Sequence, residues 1–198
     1  MKTRGGVACG VNSDHPGFSQ PNEKGEWTGL DADYCRAIAA AVFGDATKVR
    51  FVPLTAKERF VALQTGEVGI LARNTTWTMS RDSMFALGVK SAKELNGATI
   101  CIQAGTTTEL NIAGYFKSDH MDYKAVLFDK YDEAAQAYFS GHCDVYTTDQ
   151  TVLYSIRAQQ SKPDDHSVLP EIISKEPLSP YVRWGDGQWL KIARRGQD

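Results

Sequence analysis

The chain has 198 residues, 42% hydrophobic and 23% charged, proportions that fit one ordinary domain or two small lobes. Its 22 Lys+Arg against 24 Asp+Glu leave a formal net charge of −2, which excludes the overall basic footprint of a nucleic-acid or anionic-membrane binder. The basic tail Lys191, Arg194 and Arg195 is too short to overturn that.

No apolar run is long enough to span a bilayer, and the opening MKTRGGVACG lacks the apolar stretch of a secretory signal. The expectation is a soluble chain as written. Residues 7–11 read as a strand, followed by a turn-rich stretch over 12–25. Asp31 or Asp33 is positioned to cap a helix through Tyr34, Ile38 and Val42, with Gly44 as its stop. A strand over 49–54, a helix over 57–65 ended by Gly66, and a strand over 68–72 come next.

The second half repeats the plan: a short helix at 90–95, a strand at 99–103, and a helix opened by GTTTEL that carries Leu110, Ala113 and Phe116. Strands at 126–128 and 144–147 then alternate with helices at 132–140 and 151–159. Such alternation predicts an α/β fold with largely parallel sheets. ERFVALQTGEVGILARNTT and DEAAQAYFSGHCDVYTTDQT share a pattern of helix, glycine, apolar strand and polar cluster. This weak internal duplication predicts two similar lobes with polar strand ends, where open α/β sheets place their ligands.

Three polar clusters fall at predicted strand ends: Asn74, Thr76 and Arg81; Gly105, Thr106 and Thr107; and Asp149. An arginine fork suits a carboxylate, amides and hydroxyls at a helix start add donors for the same anion, and an aspartate suits an ammonium. Together they point to an α-amino acid. Each has a plainer reading as turn or cap chemistry, GTTTE as a capping box and Asp149 as the cap of the next helix. No GK[ST] follows Gly105, so a nucleotide phosphate loop is not expected. Cys9, Cys35, Cys101 and Cys143 have no CxxC spacing and no nearby histidine pair, which argues against zinc.

The segments CGVN, LDADYCRAIAAAV, KVRFVPLTAKERFVALQTGEV, RNTTWTMSRD, LGVKSAKELNGATICIQAGTTTELN, GHCDVYTTD and LPEIISKEPLSPYVR cover most of the chain. Their wording resembles the general L-amino-acid-binding proteins, periplasmic substrate-binding components of polar amino-acid ABC transporters. The resemblance implies an α/β, two-lobed periplasmic-binding-protein-like fold that binds free L-amino acids in the cleft between the lobes. It implies delivery to an ABC permease in the inner membrane, with no catalysis, cofactor, metal or nucleic acid. Arg81 then clamps the ligand carboxylate with Thr107 and Thr106, while Asn74, Thr76 and Asp149 receive the α-ammonium. Side-chain selection falls to His15, Phe18 and Trp77, of which Phe18 and Trp77 read equally as core or cleft-wall residues. With lobe 1 at 1–84 plus 177–198 and lobe 2 at 88–173, the simplest of three connectivities is one disulfide per lobe, Cys9 with Cys35 and Cys101 with Cys143. That pairing suits an oxidising periplasm, and free buried cysteines are the alternative.

Two departures from the resemblance carry their own expectations. After Arg81 and Asp82 only SMFA precedes LGVKSAKEL, where the family has a long hinge crossing, so the hinge is shortened and its span limited to roughly 20 Å. The helices that finish the first lobe in the family are expected to be absent, leaving that lobe incomplete. An uncovered sheet edge then favours a homo-oligomer. Gly69 stands where the family has an acid, whereas Asp144 keeps it in the second lobe. Two rival functions follow: an interaction module that has lost binding, and a dehydratase-like enzyme using Glu109 or Asp149 as proton carrier.

Overall fold

The computed structural model describes residues 5–75, 82–174 and 178–195. Thr76, Trp77 and Arg81 lie outside the described residues. The chain divides into two units, Met1–Thr75 with Leu178–Asp198, and Thr76–Pro177.

The first unit is built on β1 (Val7–Val11), with β4 (Val49–Pro53) and β5 (Ile70–Leu71) parallel to it on either side. A short return strand, β11 (Tyr181–Val182), runs antiparallel beside β5 and completes the order β11-β5-β1-β4. A two-residue hairpin, β2 (Gln20–Pro21) with β3 (Trp27–Thr28), closes the turn-rich stretch. Helix α1 (Leu30–Phe43) ends on Gly44, which takes the left-handed conformation that only glycine adopts without cost. Helix α2 (Arg59–Thr65) starts from a Thr55–Glu58 capping box, in which the Glu58 carboxylate accepts from the Thr55 N–H at 3.0 Å.

One face of this sheet packs Val7, Cys9, Val11 and Ile70 on Cys35, Ile38 and Ala39 of α1. The other face packs Val52 and Leu71 on Ala62 and Leu63 of α2. The expectation that no helix closes this unit is corrected: α6 (Gly187–Arg195) buries Trp189 and Ala193 in the first core. The Tyr34 hydroxyl donates to the Ala193 carbonyl at 2.7 Å and ties α6 to α1. Gly69 now has a packing reason, because a Cβ there would lie 3.0 Å from the Trp189 ring. An acidic side chain has no room under that indole.

The second unit is a five-stranded sheet in the order β10-β6-β9-β7-β8. Its strands are β6 (Asp82–Leu87), β7 (Ala98–Gln103), β8 (Tyr123–Phe128), β9 (Val145–Asp149) and β10 (His166–Val168). Strands β8, β7 and β9 are parallel; β6 is antiparallel to both β9 and β10. Residues 82–84, which the sequence reading assigned to the end of the first lobe, therefore run inside a strand of the second unit. Their backbone pairs with Thr147, Thr148 and Asp149 across the ladder, and that pairing is invisible in a linker-like SMFA.

Helices α3 (Thr107–Ser118), α4 (Tyr131–Phe139) and α5 (Gln150–Ala158) cover the sheet. Met84, Ile100, Ile102 and Val145 pack with Ile112 and Phe116 on one side. Phe85, Cys101 and Tyr146 pack with Ala134, Tyr138, Leu153 and Ile156 on the other. The expected short helix at 90–95 is a single 3-10 turn, Ala92–Glu94. Each unit carries one disulfide, Cys9–Cys35 and Cys101–Cys143, and no cysteine among the described residues is free. His142 precedes β9 in a turn and Cys143 is committed to sulfur, so neither joins a metal or dyad. No helix among the described residues is long and apolar enough to cross a membrane.

Candidate functional site

In the first unit, parallel β1, β4 and β5 release Asn12, Leu54 and Arg73–Thr75 on one side of the sheet, the C-terminal side where such sheets carry ligands. The loop after β1 is folded back on itself. The Asn12 N–H donates to Ser19 Oγ at 3.0 Å, and His15 and Ser19 form an isolated antiparallel bridge. The carbonyl of Phe18 then accepts from the Asp31 N–H at 2.8 Å, docking the loop on the start of α1. Gly29 permits that approach: its φ is 104, and a Cβ would sit 2.5 Å from the Phe18 carbonyl oxygen.

The expectation that Asp31 or Asp33 caps α1 is corrected. Gly29 is the N-cap and offers no side chain, and both aspartates lie in the first helical turn. Asp33 pairs with Arg36 at 2.8 Å on the surface. Asp31 turns the other way, and its Oδ2 accepts from the backbone N–H of Asn74 at 3.1 Å. Asn74 itself is buried and left-handed, with φ 33. Its side chain lies beside His15, which is fully buried and stacked on Phe18 with ring centroids 4.5 Å apart.

Arg73 completes this cluster. It is fully buried, donates from Nε to the Leu54 carbonyl, and acts electrostatically on both His15 and Asp31. Burial pushes the His15 pKa down to about 3, opposed by the neighbouring Asn74 side chain and helped by the Arg73 charge. Burial pushes Asp31 up to about 6, opposed by the Asn74 amide and by Arg73. His15 is therefore neutral near pH 7, while Asp31 holds its proton about two pH units longer than an ordinary aspartate. Of this set, sequence reasoning singled out His15, Phe18 and Asn74, read Asp31 as a cap and passed over Arg73. The signal for Arg73 was its place directly after an apolar strand and directly before Asn74.

In the second unit, Thr106 is the N-cap of α3: its hydroxyl accepts from the Glu109 N–H and donates to the Gln103 carbonyl at 2.7 Å. Glu109 Oε2 accepts from the Gly105 N–H at 2.8 Å. The capping-box reading of GTTTE thus holds for Thr106 and Glu109, with Thr107 half-buried as the first residue of the helix. Gln103, at the end of β7, is buried and donates from Nε2 to the Asp129 carbonyl at 2.9 Å. Asp149 ends β9 and precedes α5, and its buried carboxylate makes no capping bond to that helix. The plainer reading of Asp149 as the cap of the next helix thus holds for its position, the N-cap of α5, and not for its side chain. No group of three or more metal-ligating side chains occurs among the described residues.

The family of bacterial extracellular solute-binding proteins, family 3, matches residues 7–192. The chain belongs to that family. It is 52% identical to the general L-amino acid-binding periplasmic protein AapJ of Rhizobium johnstonii, over 97% of this chain and 62% of that protein. It is 47% identical to the glutamate/glutamine/aspartate/asparagine-binding protein BztA of Rhodobacter capsulatus, over 98% of this chain and 63% of the relative.

Among solved structures, a periplasmic binding protein from Brucella ovis with glutathione bound has a TM-score of 0.92 at 51% identity, over 98% of this chain and 67% of that one. An ancestral arginine-binding protein bound to arginine has a TM-score of 0.84 at 26% identity, over 98% and 91% of the two chains. The fold is the two-lobed α/β fold of these binding proteins. The chain spans under two thirds of the length of the curated relatives it matches, 62% and 63%.

Proposed function

We propose that the protein is the solute-binding component of an amino-acid ABC transporter, working in the periplasm and handing its ligand to an inner-membrane permease. The ligand is a free L-amino acid, held by its α-carboxylate and α-ammonium and released unchanged. The observation that carries this reading is Asp149, a buried carboxylate at the C-terminal end of the parallel strand β9, in a family of solute-binding proteins. An ammonium is the natural counterpart of such a group.

In this reading Arg81 forks the ligand carboxylate with Thr107, and Thr106 serves by holding the start of α3. Asn74 and Thr76 add acceptors for the ammonium beside Asp149. Phe18 and Trp77 shape the side-chain pocket, with His15 acting through its stack on Phe18. Glu109, the other proton carrier an enzyme could use, is engaged at the Gly105 N–H, which supports binding without catalysis. The name of the Brucella relative fits the same head-group chemistry, because glutathione presents a free α-amino and α-carboxylate at its γ-glutamyl end.

The test is calorimetric titration of the oxidised protein with L-glutamate, L-glutamine, L-aspartate, L-asparagine, L-arginine and glutathione. Micromolar or tighter binding of at least one is expected, with Arg81→Ala or Asp149→Ala weakening it a hundredfold or more. Unchanged affinity in both variants would mean that the assigned residues are wrong. The proposal includes self-association through an edge strand, since β4 and β8 each pair on one side only among the described residues. Size-exclusion chromatography is expected to give an apparent dimer, and a clean monomer removes that part.

A further inference from the structure

We propose that Asp31 is a positioning residue for ligand binding: from the first turn of α1 its carboxylate holds the backbone N–H of Asn74 and sets the conformation in which the polar run after β5 begins. This rests on the binding function proposed above.

Three consecutive residues at this strand end are each fastened by a different part of the first unit. Arg73 reaches the Leu54 carbonyl after β4. Asn74 is held through its backbone by Asp31 of α1, with its side chain beside the buried His15 of the loop after β1. Thr75 receives Arg59 Nη1 of α2 at 3.4 Å on its hydroxyl, and its carbonyl accepts from the Ser179 N–H at 2.9 Å. An ordinary strand end followed by a solvated loop requires none of this.

The conformation so held is an unfavourable one. A non-glycine residue at φ 33 is strained, less so for asparagine than for most residues, and persists only where tertiary contacts fix it. Asp31 supplies the contact that acts on the backbone itself. Its carboxylate does no capping, since the N-cap is Gly29 and no side chain bonds the free N–H groups of that end as a cap. A half-buried carboxylate aimed away from its own helix at the amide of a residue 43 positions on is an orienting device for that amide.

The charged group acting on Asp31 is Arg73 after β5, which also acts on His15 from the loop after β1. On its own helix, Asp33 and Arg36 pair with each other. Burial holds the Asp31 pKa at about 6, and His15 is neutral above about 3. Between pH 5 and 7.5 the group in this cluster that changes charge is therefore Asp31, and its ionised form is the stronger acceptor.

The experiment compares wild type, Asp31→Asn and Asp31→Ala by titration with the five amino acids named above from pH 5 to 7.5. The ¹⁵N–¹H spectrum follows the Asn74 amide. Asn keeps an acceptor oxygen without the charge. The expected result at pH 7.5 is about threefold to tenfold weaker binding for Asp31→Asn, matching wild type at pH 5, and more than tenfold weaker binding for Asp31→Ala. Wild-type affinity should fall, and the Asn74 amide should shift, with a midpoint near pH 6; both should be flat in Asp31→Asn.

Equal affinity of Asp31→Ala and wild type overturns the inference, as does an Asn74 amide that ignores pH in wild type. If Asp31→Ala does not fold, the contrast in pH profile between wild type and Asp31→Asn decides. Wild type that binds none of the five overturns the functional reading and this inference together, whereas wild-type binding untouched by Asp31→Ala overturns this inference alone.

Discussion

A buried histidine beside a buried arginine is a site where the folded chain refuses a proton that the unfolded chain accepts. His15 has its pKa depressed to about 3 in the folded state from an unfolded value of 6.5. Over that window the unfolded chain binds more protons, so the contribution of His15 is intact above pH 6.5 and is lost as pH falls toward 3, on the order of 5 kcal/mol in all. Asp31 acts with the opposite sign. Its pKa is raised to about 6 from 3.8, so the folded state binds more protons between those values and gains on the order of 3 kcal/mol as pH falls through them. The histidine is the larger effect. Urea midpoints at fixed pH should therefore fall for wild type between pH 7 and 4, and fall by less over the same range in His15→Gln. A wild-type slope preserved in His15→Gln would put the acid-sensitive group elsewhere.

Elements were legible where their signal is local and illegible where it is long-range. The stop at Gly44, the capping of α3 by Thr106 and Glu109, and parallel strands alternating with helices follow from spacing within a few residues. Strands β6, β10 and β11 and helix α6 did not declare themselves, because their stability comes from partners far along the chain. Gly69 illustrates the difference: as a sequence position it looks like a lost acid, and only the indole of Trp189 above it explains the glycine. The candidate site divides in the same way. Polar residues after strands were visible as a class, but the bond from the Asn74 backbone to Asp31 and the placement of His15 beside Asn74 join segments whose proximity no local pattern encodes. The disulfides tie such distant segments covalently. Their sequence separations of 26 and 42 correspond to about 3.5 and 4 kcal/mol on the chain-entropy estimate, a useful increment for units with small cores.

At the scale of the molecule, each unit has its own sheet, its own buried clusters and its own disulfide. Two such units can unfold independently, and a ligand shifts only the transition of a unit whose folded state it binds. Asn74 belongs to the first unit and Asp149 to the second, so the proposed division of labour makes a thermal prediction that affinity alone does not. Scanning calorimetry with a ligand at one hundred times its Kd should stabilise both units, by about 2.7 kcal/mol in total when they unfold together. The same experiment on Asp149→Ala should leave the transition temperatures where they are without ligand. If ligand raises only one of two resolved transitions in wild type, the residues of the other unit do not hold it, and the assignment of either Asn74 or Asp149 has to be given up.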